Sequence, residues 1–172
     1  MVVILIGGVL AIVISFLVFI SNASSGPKTD MQTLAVRMQA LHKISDSSHK
    51  KIKSGQLRGI NSNLRSFLSN ANRDIVEPLT ANGIDVKKFD KKIVAKEDAD
   101  PLKADLEDAR LNATFDDTYA REMSFKLTTL SILMESIYNT SKSKSMKEFL
   151  VSTDDNLQQI KTQLDDFNPT TR

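Results

Sequence analysis

The sequence predicts an all-α chain: a transmembrane helix over residues 1–20, a linker over 21–28, and an antiparallel four-helix bundle over 29–172. Three observations carry that expectation. Val2 to Ile20 is a run of 19 residues without a charge, and fifteen of them are Val, Ile, Leu or Phe. Glycine (6) and proline (4) are scarce among the 172 residues, too few to punctuate a turn-rich β sandwich. Beyond the run, apolar residues recur every three or four positions in four long stretches, and no stretch alternates with period two long enough to be a strand.

The apolar run comes first. At about 1.5 Å per residue it spans roughly 28 Å, close to the hydrocarbon thickness of a bilayer. Its large side chains favour insertion by about 5–9 kcal/mol before the glycine and serine contributions. A cleavable signal peptide is the rival reading, with Ser21-Asn22-Ala23 as a small-x-small site. Against it, the run exceeds the usual apolar core of roughly 7–15 residues, and no Lys or Arg precedes it. Charge alone leaves the orientation open, since long domains translocate largely regardless of a weak bias.

The remaining 150 or so residues suffice for one domain with a real core. The absence of cysteine removes disulfides, cysteine-linked lipidation, zinc–thiolate sites and thiol catalysis together. A net charge of +2 is too small to imply nucleic-acid binding. Residues 21–100 carry 14 basic against 9 acidic side chains, and residues 101–172 carry 9 against 12; a solvated surface explains the asymmetry.

Ser21 to Lys28 is a small-residue, Gly-Pro linker. Thr29 to Gln32 has the form of a capping box that opens helix one, about 30–52, with Met31, Leu34, Ala35, Met38, Leu41, Ser45 and Ile52 on one stripe. Helix two runs from about Gln56 to Ala81, with Leu57, Ile60, Leu64, Phe67, Leu68, Ala71, Ile75 and Leu79 aligned. Pro78 should disturb its last turn, and Asn82-Gly83 should cap it. Ile84 to Asp100 is a charged surface crossover with room for a short helical turn. Asp100-Pro101 opens helix three, which breaks near Asn112 and is recapped at Thr114. It then carries Phe115, Tyr119, Met123, Leu127, Leu130, Leu133, Met134 and Ile137 inward. Ser145 to Glu148 is a second capping box, opening helix four with Met146, Phe149, Leu150, Thr153, Leu157, Ile160, Leu164 and Phe167 facing in. Four such stripes must bury one another.

LEDARLNATFDDTYAREM, with the later KSMKEFL, resembles a ferritin-like family of exported bacterial proteins of unknown function, often labelled outer-membrane proteins. Phe115, Asp116, Tyr119 and Met123 match its Phe-Asp, Tyr and Met motif, and Gly83-Ile84 matches the end of its second helix. The resemblance covers roughly residues 30–167. It implies a four-helix bundle exported across the membrane, and it tips the orientation outward. That family carries histidines on helices two, three and four; the corresponding positions here are Leu68, Leu127 and Ile160. Glu-x-x-His pairs, which a di-iron bundle requires, are absent from the sequence.

The polar candidates have plain explanations. His42 and His49, two turns apart on helix one, lie roughly 10 Å apart along the axis, too far to share one ion. Asp116 and Asp117 suit a helix start, where the dipole favours acids. Tyr119 and Tyr138 read as packing residues with a polar tip. Lys126, near the apolar stripe of helix three, should snorkel or pair with Glu122 one turn earlier. Asn61, on the inner side of helix two, needs a partner that His42 or His49 can supply. The Lys87 to Lys92 run reads as a solvated loop, able to lean on anionic lipid only if it faces the bilayer. Sequons at Asn22, Asn112 and Asn139 carry meaning only in a eukaryotic secretory pathway.

No catalytic, cofactor or metal site is assigned. The expected function is a non-enzymatic, membrane-anchored interaction or envelope-associated module on the extracytoplasmic side of the cell membrane. It would contact lipid through residues 2–20, meet an unnamed protein partner and bind no nucleic acid. The alternative is a ferritin-like metal or small-ligand binder using His42 or His49. A sensor bundle like those of bacterial receptors is weaker, because the sequence shows no second transmembrane segment or signalling domain.

Overall fold

The computed structural model describes residues 26–167, and within them the chain is all-α, with seven helices and no strand. The predicted transmembrane helix over 2–20 lies outside the described residues. Among those described, no helix is long and apolar enough to cross a membrane.

The four long helices are α1 (Pro27–Ser48), α2 (Gly55–Asp74), α6 (Phe115–Thr140) and α7 (Lys144–Asp165). Helix α1 packs on α2 and α6, and α7 packs on α6 and α2, so the contacts close into a ring. Side-chain bonds give the directions. Asn61 meets Ser45 and Asn72 meets Met38, so α2 descends as α1 ascends. Ser124 meets Asp165 and Ser131 meets Asp154, so α7 runs against α6. One core holds the predicted stripes together: Leu34, Met38, Leu57, Leu64, Leu68, Met123, Leu127 and Leu157 are all fully buried.

Short helices fill the connections. Pro78 has no N–H to give the carbonyl one turn behind it, and α2 stops at Asp74; the chain resumes as α3 (Val76–Ala81). Gly83, at φ +69°, then closes α3. The Ile84 amide bonds the Leu79 carbonyl at 3.0 Å and the Gly83 amide bonds Thr80 at 2.9 Å, with Ile84 and Leu79 both buried, which completes a Schellman ending. The crossover contains α4 (Lys91–Lys96), capped by Asp90, and α5 (Asp100–Leu111). Helix α4 lies on α1 and α5 on α6, so this connection climbs from one end of the ring to the other. Arg37 fastens it: its guanidinium grips both Glu97 carboxylate oxygens at 2.8 Å and donates to the Thr129 carbonyl at 3.3 Å.

Several helix starts differ from the sequence reading. The first helix begins at Pro27, not after Thr29, because Pro at the first position is preset for a helix and needs no N–H partner. Thr29 and Asp30 amides bond the Gly26 carbonyl instead, so residues 27–28 belong to the helix rather than the linker. The last helix begins at Lys144; Ser143, not Ser145, accepts the Met146 amide at 3.3 Å. Ala99, not Asp100, stands at the cap of α5. Thr114 does not cap α6 with its side chain, since its hydroxyl turns back to the Ala109 carbonyl at 3.3 Å.

That reversal is made by Ala113, an exposed non-glycine residue at φ +59°. Its position follows the Schellman pattern, with the Thr114 amide on Ala109 at 2.9 Å. An L side chain in this region costs about 1–2 kcal/mol, part of which glycine would return through its larger unfolded-state freedom. Ala113→Gly is therefore expected to stabilise the fold by about 0.5–1 kcal/mol. A lowered urea midpoint would contradict this.

Candidate functional site

The most polar part of the interior lies where the α1–α2 corner meets the start of α6. The corner needs a short turn, and Ser54 supplies it by accepting the Leu57 amide at 3.3 Å as the cap of α2. Opposite it, the second residue of α6 is Asp116, only 3 % exposed. Its carboxylate accepts the Lys53 amide at 3.0 Å and the Ser54 amide at 2.7 Å. The acid predicted to serve its own helix start thus reaches across to hold a different corner. Its neighbour Asp117 is exposed.

One turn further along α6, Tyr119 is completely buried and stacks on Phe115, with ring centroids 6.1 Å apart. Its hydroxyl donates to Asn61 Oδ1 at 2.5 Å. The Asn61 amide donates to the Ser45 carbonyl at 3.1 Å and lies 3.5 Å from His49 Nδ1. Burial pushes the Tyr119 hydroxyl far above its ordinary range, with the nearby Arg65 charge only partly opposing this. The phenol therefore stays protonated and acts as a donor, not as a base or nucleophile. Arg65 itself pairs with Asp46 on the rim of the cluster.

Of the sequence candidates, the structure brings Asn61, Tyr119 and His49 together with Asp116 one turn away. It does not bring in His42, which is half-buried on α1 and whose carbonyl accepts the Ser45 hydroxyl at 3.0 Å. Tyr138 is an outer residue, with Lys147 4.8 Å above its ring. Glu122 pairs with Arg121, its neighbour in sequence, rather than with Lys126. Among the described residues no three of histidine, aspartate and glutamate gather closely enough to hold a metal ion. Leu68, Leu127 and Ile160 lie in the apolar core.

A second polar group joins α6 to the end of α7. Asp165 accepts from the Ser124 hydroxyl and from Lys161 at 2.5 Å. Lys161 first, then Ser124, hold its carboxyl below the usual range. A shallow depression of about 270 Å³ opens beside it, lined by Asp117, Arg121, Ser124 and Phe167 among others. The sequence reading missed this group. Its only signal was Ser124, a small polar residue beside Met123 on the inner face.

Tyr119→Phe tests the central cluster. It strips the donor from Asn61 Oδ1 in a site with no solvent exposure, so the expected cost is about 1–3 kcal/mol. Combined with Asn61→Ala, the loss should be smaller than the two single losses added. Strict additivity would show that the two residues are uncoupled.

No protein-family model, no curated protein and no solved structure matches this chain.

Proposed function

We propose that the chain is a membrane-anchored helical-bundle module, with residues 2–20 in the bilayer and the domain outside the cytoplasm. It works through contact with a partner rather than by catalysis. The observation that carries this reading is where the interior polar groups are committed. Asp116 holds a backbone corner, Tyr119 and Asn61 bond each other, and Arg37 and Glu97 lock the crossover to α1 and α6. Groups tied to the fold in this way are not poised to turn over a substrate.

The closed ring of four antiparallel neighbours, with one long crossover, supports a ferritin-like four-helix bundle as the architecture. Leu68, Leu127 and Ile160 support a bundle stabilised by apolar packing at the positions where the resembling family carries imidazoles. The metal or small-ligand alternative through His42 or His49 rests on no comparably specific contact.

Two measurements test the reading. The full chain should stay with membranes through a carbonate wash and be labelled on intact cells by an impermeant amine reagent. Release by carbonate would remove the anchor, and labelling only after lysis would reverse the orientation. Purified without chelator, the protein should hold no stoichiometric iron, zinc or manganese, and excess metal should leave its melting temperature unmoved. One bound equivalent, lost on His42→Ala or His49→Ala, would promote the alternative.

A further inference from the structure

The lysines of the crossover and of the α6–α7 turn lie at the end of the ring from which the chain runs back to its apolar run. Helix α1 starts there, at Pro27. Lys28 Nζ lies 3.2 Å from where a Cβ on Gly83 would stand, which places the end of α3 beside the first turn of α1. The Asp90 amide bonds Gln32 Oε1 at 3.1 Å, keeping the crossover on that turn. Asn82 Nδ2 donates to Ser143 Oγ at 3.0 Å, which brings in the α6–α7 turn. Phe89 packs against the core and holds the lysine run down, so the run is not a free loop.

This assembly leaves Lys28, Lys87, Lys88, Lys91, Lys92, Lys142 and Lys144 exposed. The carboxylates among them are partly engaged: Asp85 accepts the Lys87 amide, Asp90 caps α4, and Glu148 lies 3.6 Å from Lys144, while Glu77 is exposed. The opposite end mixes Lys43, Lys50 and Lys53 with the acids of α5, the α6 start and the α7 end. Tether length then decides which end meets a membrane. Only Ser21 to Ser25 separate Ile20 from Gly26, a reach of at most about 20 Å. Helix α1 carries the far end about 33 Å further away. Surface charge is felt only within roughly 8–10 Å at ordinary salt, so only the near end can sense the headgroups.

We propose that this lysine-bearing end is a docking surface for an anionic lipid bilayer, which sets the domain upright on the membrane that anchors it. The proposal rests on the membrane-anchored reading and adds the partner surface to it. Lysines close to an anionic leaflet are each held by the surface potential, while the acids at the far end lie beyond its reach, so the lysine-bearing end is the one drawn to the bilayer.

The test uses the full chain reconstituted in vesicles of phosphatidylcholine alone or of an even mixture with phosphatidylglycerol. An impermeant amine-acetylating reagent is read residue by residue by mass spectrometry. In the mixed vesicles, labelling of Lys87, Lys88, Lys142 and Lys144 should fall about threefold or more, while Lys43, Lys50 and Lys53 label as before. Salt near 0.5 M should remove the difference. Equal labelling of both ends in both membranes, with the chain retained by neutral vesicles, would overturn the docking surface and leave the anchor standing. A chain that neutral vesicles fail to retain would overturn the anchored reading, and the docking surface with it.

Discussion

Leu127→Ala is expected to cost about 2–5 kcal/mol, read as a lower urea midpoint at unchanged slope. Leu127 sits mid-way along α6 with none of its surface exposed, in the core formed by α1, α2, α6 and α7. Removing its branched end loses the transfer free energy of the buried carbons and leaves a cavity that rigid helices close only in part. Its neighbours one turn away, Met123 and Leu130, are equally buried, so the surrounding wall has little slack. The test should use residues 26–172, since starting at 29 would remove the first helical residues and their Gly26 carbonyl acceptor. A cost below about 1 kcal/mol would mean that the inner face of α6 is drawn wrongly, because a leucine with no exposure has no cheap way to shrink.

The stripes were legible because burial in a helix repeats every three or four residues. Leu57, Ile60, Leu64, Leu68 and Ala71 are buried as their spacing requires, as are Met146, Phe149, Leu150, Thr153, Leu157, Ile160 and Leu164. Helix starts were less legible for a physical reason. Several short polar residues near one boundary can each cap, and local sequence does not rank Ser143 against Ser145, or Gly26-Pro27 against Thr29. The break at Ile75 was foreshadowed by Pro78, but its place three residues earlier follows from which carbonyl the proline ring leaves unpaired.

The polar interior divides along the same line. Asn61 and His49 are joined by a tight corner, and a partnership between them could be read from helix-face geometry. Tyr119 comes from 58 positions away, and only the packing of α6 selects it as the donor to Asn61. Arg37 stood between Leu34 and Leu41, a basic residue at the margin of an apolar stripe, which signals an unseen acceptor. Among Glu97, Asp98 and Asp100, nothing local singles out Glu97. The crossover's path along α1 makes that choice.

Asp116→Ala is expected to cost about 2–4 kcal/mol, because it removes two charge-assisted bonds at once. The carboxylate also lies in the first turn of α6, a position that suits an acidic side chain. The Lys53 and Ser54 amides that it holds precede α2 and have no helical partner of their own, so the alanine variant leaves them facing a small void. Asp116→Asn keeps the volume but offers one acceptor oxygen beside an NH₂ that repels an amide N–H, so it recovers at most one of the two bonds. Hydrogen exchange separates the clamp from general loosening. Lys53, Ser54 and the first turn of α2 should exchange faster in both variants under conditions that leave the middle of α7 protected. Uniform acceleration throughout the chain would assign Asp116 to overall stability instead, and a cost under about 1 kcal/mol would show that water replaces its oxygens at the corner.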